Sequence, residues 1–118
     1  EEIKRVDAGK DITYAVKEQP IINDALERDA LDCGIGAVAR IVSSGSDAPG
    51  TVIARCSDEF MERFREADMV ISKGQGNFES LSETGRTVFF LLMAKCPVIA
   101  ADIGCGVGDV VLLHLKPA

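Results

Sequence analysis

The chain has 118 residues, 47% of them hydrophobic, and a formal net charge of -6 at pH 7, which suits one domain with a buried core. This acidic balance argues against binding to nucleic acid or anionic membrane, because phosphate groups attract cationic surfaces. No stretch is apolar enough to cross a bilayer. The four cysteines lack metal-site spacing, so we expect reduced thiols in a cytoplasmic protein.

Taken in chain order, the predicted elements alternate between helices and strands. Apolar, β-branched runs predict strands over residues 12–16, 37–42, 69–72, 87–94 and 110–115. Helical spacing and capping residues predict a helix end over 1–7, helices over 24–34 and 76–83, and a short helix or turn over 97–103. They also predict a helical start at Pro49 and a helix capped by Ser57. Asp24, with Glu27 three residues later, fits the start of the second helix.

The alternation of strands and helices predicts an α/β fold. We expect a three-layer α/β/α, Rossmann-like arrangement with a mostly parallel sheet. The apolar run VFFLLMA at 88–94 agrees, because strands buried on both faces read as continuous apolar segments. With no repeat, low-complexity tract or linker, residues 1–118 are predicted to form a single α/β domain.

Three polar or glycine-bearing loops follow the first three strands. Ligands of open parallel sheets bind beyond the carboxyl ends of the strands, so these loops are predicted to project toward one edge. The loops contain Asn23 and Asp24; Ser44, Gly45, Ser46 and Asp47; and Lys73, Gly74, Gln75, Gly76 and Asn77.

Each loop also has a purely structural interpretation. Asp24 would cap its helix, SGSD at 44–47 would form an ordinary turn, and KGQGN at 73–77 would be a solvated lysine beside a tight turn. For KGQGN we favour function, because a turn does not need lysine and asparagine together.

The residue types in these loops match the chemistry of a metal and a phosphate. Carboxylate and amide oxygens suit a divalent cation, which makes Asp24 and the weaker Asn23 the candidate metal ligands. Backbone N–H groups and a point charge suit a phosphate. These would come from Lys73, the backbone of residues 74–77 and the serine loop. One aspartate is too few ligands for a dedicated metal site. GxGxxG and Walker spacing are not met.

The same residues resemble a known family. PIINDA, SSGSDAPGTV, ADMVISKGQGNFESL and VFFLLMAKCPVIA occur in an order similar to that of the damage-control phosphatases, especially the small stand-alone microbial members. The resemblance covers about residues 20–109. It implies metal-dependent hydrolysis of phosphate monoesters on small metabolites, such as sugar phosphates or damaged cofactor intermediates, with a divalent metal such as cobalt, nickel or manganese. The residue types also fit magnesium, and we expect a metal-activated water to attack the phosphorus.

The resemblance also assigns roles to individual residues. Asp24 matches a metal-binding aspartate of the family, Lys73 and Asn77 match a loop near the phosphate that we expect to be catalytic, and the 44–47 loop matches another active-site segment. The family's Asp-Asn-x-Gly-Glu motif is absent here. We therefore expect a fragment that lacks the first metal-binding motif and the N-terminal helical part, with an incomplete site when alone and a tendency to self-associate.

Two other functions remain open from the residues. A non-catalytic module that binds a nucleotide or phosphometabolite would need the lysine loop but not Asp24, and it would tolerate a chelator. A structural oligomerisation domain would gain no thermal stability from phosphate and metal.

Overall fold

A computed structural model describes residues 1–117 as two compact units. The first unit comprises Glu1–Ala48 and Ala54–Arg65, and the second comprises Pro49–Ile53 and the chain from Glu66 onward. Each unit has its own strands and its own buried apolar residues. The single domain over residues 1–118 stays a prediction.

The first unit contains a two-stranded parallel sheet with short helices. Its elements are α1 (Glu2–Val6), β1 (Thr13–Val16), α2 (Glu27–Asp32), β2 (Arg40–Ser43) and α3 (Asp58–Glu66), with a 3₁₀ turn at Ile35–Ala37. Strand β1 pairs in parallel with β2 from Thr13 opposite Arg40 to Val16 opposite Ser43. Helix α3 is capped as predicted: the Phe60 N–H donates to Ser57 Oγ at 3.2 Å, and Phe60 and Phe64 are buried with stacked rings.

Two predicted helix starts, at Asp24 and at Pro49, are wrong. Helix α2 begins at Glu27, after the N-cap Leu26, because the Asp29 carboxylate accepts the Leu26 N–H at 2.8 Å. Asp24 instead lies in a turn in which its N–H donates to the Ile21 carbonyl. Pro49 starts no helix, and only a 3₁₀ turn at Ile53–Arg55 follows it.

The second unit contains a three-stranded mixed sheet. Its elements are β3 (Val70–Lys73), α4 (Gln75–Leu81), β4 (Val88–Met93), α5 (Pro97–Ile103) and β5 (Val110–Leu115). Strand β4 lies in the centre, parallel to β3 and antiparallel to β5. The segment predicted as a short helix or turn over 97–103 is a helix, α5, with the same bounds. Two parallel pairs and one antiparallel pair agree with a mostly parallel fold.

Burial along β4 alternates, contrary to the expectation of burial on both faces. Val88, Phe90 and Leu92 are at most 4% exposed, whereas Leu91 and Met93 are 41% and 46% exposed. The Phe78 ring of α4 packs edge-on against Phe90, at 5.2 Å between centroids. One face of the sheet is therefore covered and the other is partly open to solvent.

The structure confirms the α/β class, while the three-layer, Rossmann-like arrangement stays a prediction. No helix within residues 1–117 has the length and apolarity needed to cross a membrane.

Candidate functional site

The lysine of KGQGN lies at the point where β3 ends and α4 begins. Lys73 is the last residue of the strand and is exposed. Gly74 follows with φ 93° and ψ 152° as the N-cap of α4, a conformation that is essentially restricted to glycine. A Cβ at Gly74 would meet nothing within 4 Å. The backbone conformation, and not a lack of space, therefore requires this glycine.

The peptide between Lys73 and Gly74 is held at both ends. Its N–H, on Gly74, donates to the Leu91 carbonyl of β4 at 2.9 Å. Its carbonyl, on Lys73, accepts the Asn77 Nδ2–H at 2.8 Å. Because both polar groups are committed, the direction in which the chain leaves β3 is fixed. The side chain of Asn77 thus supports the loop.

A second residue fixes the Asn77 amide from the other side. The Thr51 hydroxyl donates to Asn77 Oδ1 at 2.8 Å. Since a carbonyl only accepts, Nδ2 must face Lys73 and Oδ1 must face Thr51. The Thr51 N–H in turn donates to Ser80 Oγ at 2.8 Å, and Ser80 Oγ donates to the Gly76 carbonyl at 3.0 Å. Thr51 belongs to a segment that the sequence did not mark as functional.

Gly76 allows another stretch of backbone to approach α4. A Cβ on Gly76 would lie 3.3 Å from the Gly50 nitrogen, and a Cβ on Gly50 would lie 2.4 Å from the Gly76 carbonyl oxygen. The close neighbour of this glycine is therefore the segment Pro49–Ile53. At this point the glycine permits a helix–loop contact within the second unit.

The Gln75 side chain joins the start of α4 to the end of β4. Its Oε1 accepts the Lys95 N–H at 2.7 Å, and its Nε2 donates to Glu79 Oε1 at 2.9 Å and to Cys96 Sγ at 3.8 Å. The side chain is thus engaged inside the unit. Phosphate binding by residues 74–76 stays a prediction.

In the first unit, the loops after β1 and β2 lie side by side as predicted. The Ser44 N–H donates to the Val16 carbonyl at 2.8 Å, and the Lys17 N–H donates to the Ala25 carbonyl at 3.0 Å. Lys17 also forms a parallel bridge with Leu26. The carboxyl ends of the two strands thus bring the INDA and SGSD segments to the same edge of this sheet. Convergence with the third loop stays a prediction.

The serine loop is packed inward. Ser44 and Ser46 are 4% and 0% exposed, and Ser44 Oγ accepts the Ser46 N–H at 3.2 Å. A Cβ on Gly45 would lie 2.6 Å from the Ser57 nitrogen, so this glycine lets the loop contact the start of α3. Asp47 is exposed and pairs with Arg55 at 3.0 Å. Phosphate binding by these four residues stays a prediction.

The two candidate metal ligands are accessible. Asn23 and Asp24 are both exposed, in the turn that precedes α2. Within residues 1–117, no group of three or more His, Cys, Asp or Glu side chains is placed to hold a metal ion. The described residues therefore offer isolated oxygen donors and no complete coordination sphere.

Sequence reasoning missed Lys17, which lies directly after β1. Its Nζ donates to the Ala48 carbonyl at 2.8 Å. Burial lowers the pKa of Lys17, while Asp24 and, more weakly, Cys56 oppose that shift. Burial in turn raises the pKa of Cys56, and the Lys17 ammonium opposes the rise. The sequence signal that could have identified Lys17 is its position at the end of a predicted strand. Its hydrogen-bond partner, Ala48, lies 31 residues away and gives no local signal.

Comparison with known proteins identifies relatives along most of the chain. An uncharacterized protein of Methanocaldococcus jannaschii is 44% identical over 117 residues, covering 96% of this chain and 38% of the relative. Damage-control phosphatases of Pyrococcus horikoshii and Archaeoglobus fulgidus are 40% and 37% identical, covering 98% and 85% of this chain and 40% and 35% of the relatives. The chain thus spans about two fifths of the length of these relatives.

A solved crystal structure has a closely similar fold. The crystal structure of a DUF89 family protein from Pyrococcus horikoshii matches with a TM-score of 0.91 and 40% identity, covering 98% of this chain and 41% of that chain. The family model described as the damage-control phosphatase ARMT1-like domain matches residues 1–111. These matches confirm the predicted resemblance: the chain belongs to the damage-control phosphatase ARMT1-like domain family.

Proposed function

We propose that the chain contributes phosphate-binding and metal-binding residues to a metal-dependent phosphatase. The substrates would be phosphate monoesters of small metabolites, such as sugar phosphates or damaged phosphometabolites. Family membership supports hydrolase chemistry, since two relatives are named damage-control phosphatases. The observation that carries the proposal is the exposed Lys73 at a strand end whose backbone is fixed on both sides.

Lys73 is proposed to neutralise charge on the phosphoryl group. A lysine ammonium binds phosphate as a point charge, and a preorganised charge stabilises the transition state without reorganising during the reaction. Asn77 would keep the Lys73 backbone in place through its hydrogen bond to the Lys73 carbonyl. Residues 74–76 and 44–47 are the remaining proposed phosphate contacts.

Asp24, with Asn23, is proposed as the part of the metal site that this chain provides. Both side chains are exposed oxygen donors, which suit hard divalent ions such as magnesium and manganese and also accept cobalt or nickel. When bound, such a metal polarises the phosphoryl oxygens and supplies a water of lowered pKa. Further ligands would come from residues outside 1–117 or from the substrate.

The test is phosphate release from an aryl phosphate by the natural full-length protein, with and without added cobalt or nickel. Asp24→Asn removes the proposed metal-binding charge and should abolish the metal-stimulated rate. Lys73→Met should lower kcat on the order of a hundredfold, as loss of a preorganised charge does elsewhere. The matched controls are Asp11→Asn and Lys116→Met, which alter exposed charges outside the site.

The outcome separates this proposal from a binding module. Metal-stimulated release that persists in Asp24→Asn would refute the assignment of Asp24. A protein that releases no phosphate, yet gains thermal stability from a phosphate ester in the presence of chelator, would be a non-catalytic binder of nucleotides or phosphometabolites.

We further propose a three-layer, Rossmann-like sheet and a cytoplasmic location, where the thiols would remain reduced.

A further inference from the structure

We propose that Thr51 is a positioning residue that fixes Lys73 through Asn77. The inference rests on the proposed function only for its consequence in catalysis, because the contacts themselves lie within one unit of the structure. The hydrogen bonds of Thr51 go to Asn77 and Ser80. Thr51 acts through the amide whose other end holds the Lys73 carbonyl.

The Thr51 hydroxyl determines how well Asn77 can hold the loop. Asn77 Nδ2 donates to the Lys73 carbonyl at 2.8 Å, and Thr51 Oγ1 donates to Asn77 Oδ1 at 2.8 Å. Loss of the threonine hydroxyl would leave Asn77 Oδ1 without this donor. Because Asn77 is half-buried, water would not fully replace the lost hydrogen bond. An amide oxygen without a hydrogen-bond donor is destabilised, and rotation of the side chain toward water would restore a donor. Such a rotation would weaken the hydrogen bond from Asn77 Nδ2 to the Lys73 carbonyl.

Thr51 is itself held by its backbone, so its hydroxyl can fix the position of the Asn77 amide. Its N–H donates to Ser80 Oγ at 2.8 Å. The preceding residue, Gly50, is buried and so close to Gly76 that a Cβ on it would lie 2.4 Å from the Gly76 carbonyl oxygen. The segment therefore presents its hydroxyl to Asn77 from a fixed backbone.

The position of the Lys73 backbone matters for the proposed reaction. Lys73 can act on a phosphoryl group only from the place where the backbone puts it. The peptide that follows Lys73 is bound to β4 through the Gly74 N–H and to α4 through Asn77. Loosening the second attachment frees the turn while β3 and β4 stay paired. A misplacement of about 1 Å in a catalytic group can cost on the order of a hundredfold in rate.

The experiment compares Thr51→Val, which is isosteric and lacks the hydroxyl, with Thr51→Ser, which retains it. Thr84→Val is the matched control, because Thr84 Oγ1 donates to the Leu81 carbonyl at the other end of α4. Thr51→Ala removes the same hydroxyl without placing a methyl group there, in case Thr51→Val does not fold. All variants are made in the natural full-length protein.

Two measurements are made on each variant. Amide hydrogen exchange over residues 73–78 reports how firmly the turn is held, independently of activity. We expect it to rise by a factor of about 2 to 10 in Thr51→Val, the equivalent of one lost hydrogen bond, and to stay at the wild-type level in Thr51→Ser and Thr84→Val. Metal-stimulated hydrolysis of an aryl phosphate should show kcat reduced about tenfold or more in Thr51→Val, with kcat restored in Thr51→Ser.

The two readouts separate failure of this proposal from failure of the proposed function. Unchanged exchange over 73–78 in Thr51→Val would overturn the positioning role. Faster exchange with unchanged kcat would overturn its relevance to the reaction. A wild-type protein that releases no phosphate would refute the phosphatase proposal, while exchange would still decide whether Thr51 fixes the turn at Lys73.

Discussion

At the residue scale, the contact between Gly50 and Gly76 permits a sharp test of packing. Gly50 has φ 72°, and a Cβ there would lie 2.4 Å from the Gly76 carbonyl oxygen and 2.9 Å from Ser80 Oγ. Gly50→Ala should therefore destabilise the fold by more than the ~1–2 kcal/mol that a left-handed backbone alone costs. The free energy of unfolding in urea measures the effect.

Gly85→Ala is the control for that substitution. Gly85 has φ 74°, close to that of Gly50, but a Cβ there would meet nothing within 4 Å. It should show only the backbone cost. Equal losses of stability in the two variants would mean that the contact with Gly76 is not tight.

The reactivity of Cys56 supplies a pH-dependent prediction. Burial raises the pKa of this thiol, and the Lys17 ammonium partly opposes the rise. Because the thiolate is the nucleophile, Cys56 should be alkylated by iodoacetamide at pH 8 more slowly than the exposed Cys33. Raising the pH should speed the reaction of Cys56. Mass spectrometry of the modified peptides gives both rates.

Lys17→Met tests the cause of this behaviour. Without the ammonium, the pKa of Cys56 should rise further and its alkylation at pH 8 should slow further. Lys10→Met is the control, because Lys10 pairs with Asp7 on the surface. A faster reaction in Lys17→Met would indicate that the lysine shields the thiol sterically and that its charge has little influence.

Single residues show what local patterns can and cannot reveal. The sequence predicted correctly that KGQGN follows a strand and opens a helix, because glycine and helical spacing are local signals. It did not reveal that Asn77 binds Thr51, or that Lys17 binds the Ala48 carbonyl, since these partners lie 26 and 31 residues apart. It also did not reveal that Gly76 faces another glycine.

At the scale of the elements, the cap of α2 is a testable difference from the sequence expectation. The helix begins at Glu27 because the Asp29 carboxylate accepts the Leu26 N–H. Asp29→Ala should destabilise the fold by about 0.5–1.5 kcal/mol, the usual net contribution of one hydrogen bond. Urea unfolding measures this.

Asp32→Ala is the comparison for Asp29→Ala within the same helix. Asp32 forms an exposed ion pair with Arg28 at 3.7 Å, and such pairs contribute little. If Asp32→Ala cost as much stability as Asp29→Ala, general loss of negative charge would explain both, and the cap would not be needed.

The direction of β5 could not be read from the sequence. Its apolar run VVLLHL predicts a strand, but an apolar run carries no information about strand direction. In the structure β5 runs antiparallel to β4, with Val88 opposite Leu115 and Met93 opposite Val110. The continuous run in β4 was likewise misleading, since one of its faces is only partly covered.

At the scale of the whole molecule, the open face of the second sheet predicts how the 118-residue chain behaves alone. Ile71, Leu91, Met93, Val110 and Leu112 are between 41% and 77% exposed, and the strand register places Leu91 beside Leu112 and Met93 beside Val110. Contiguous apolar surface promotes association. We therefore expect the isolated chain to self-associate as its concentration rises, as measured by sedimentation velocity.

Leu112→Lys should shift that equilibrium toward the monomer, because it places a charge in the middle of the face. Val107→Lys is the control, since Val107 is 57% exposed in the loop before β5. Wild-type chain that sediments as a monomer at every concentration would contradict the prediction.

The peptide between Lys73 and Gly74 has a consequence for the timing of folding. Its N–H is bound only once β4, distant in sequence, has docked beside β3. Until then, the turn is tethered at one end and the lysine samples many directions. If Lys73 binds phosphate as proposed, a nascent or partly unfolded chain should have little affinity for phosphate esters. A phosphate ester would then bind and stabilise the folded state without stabilising early folding intermediates.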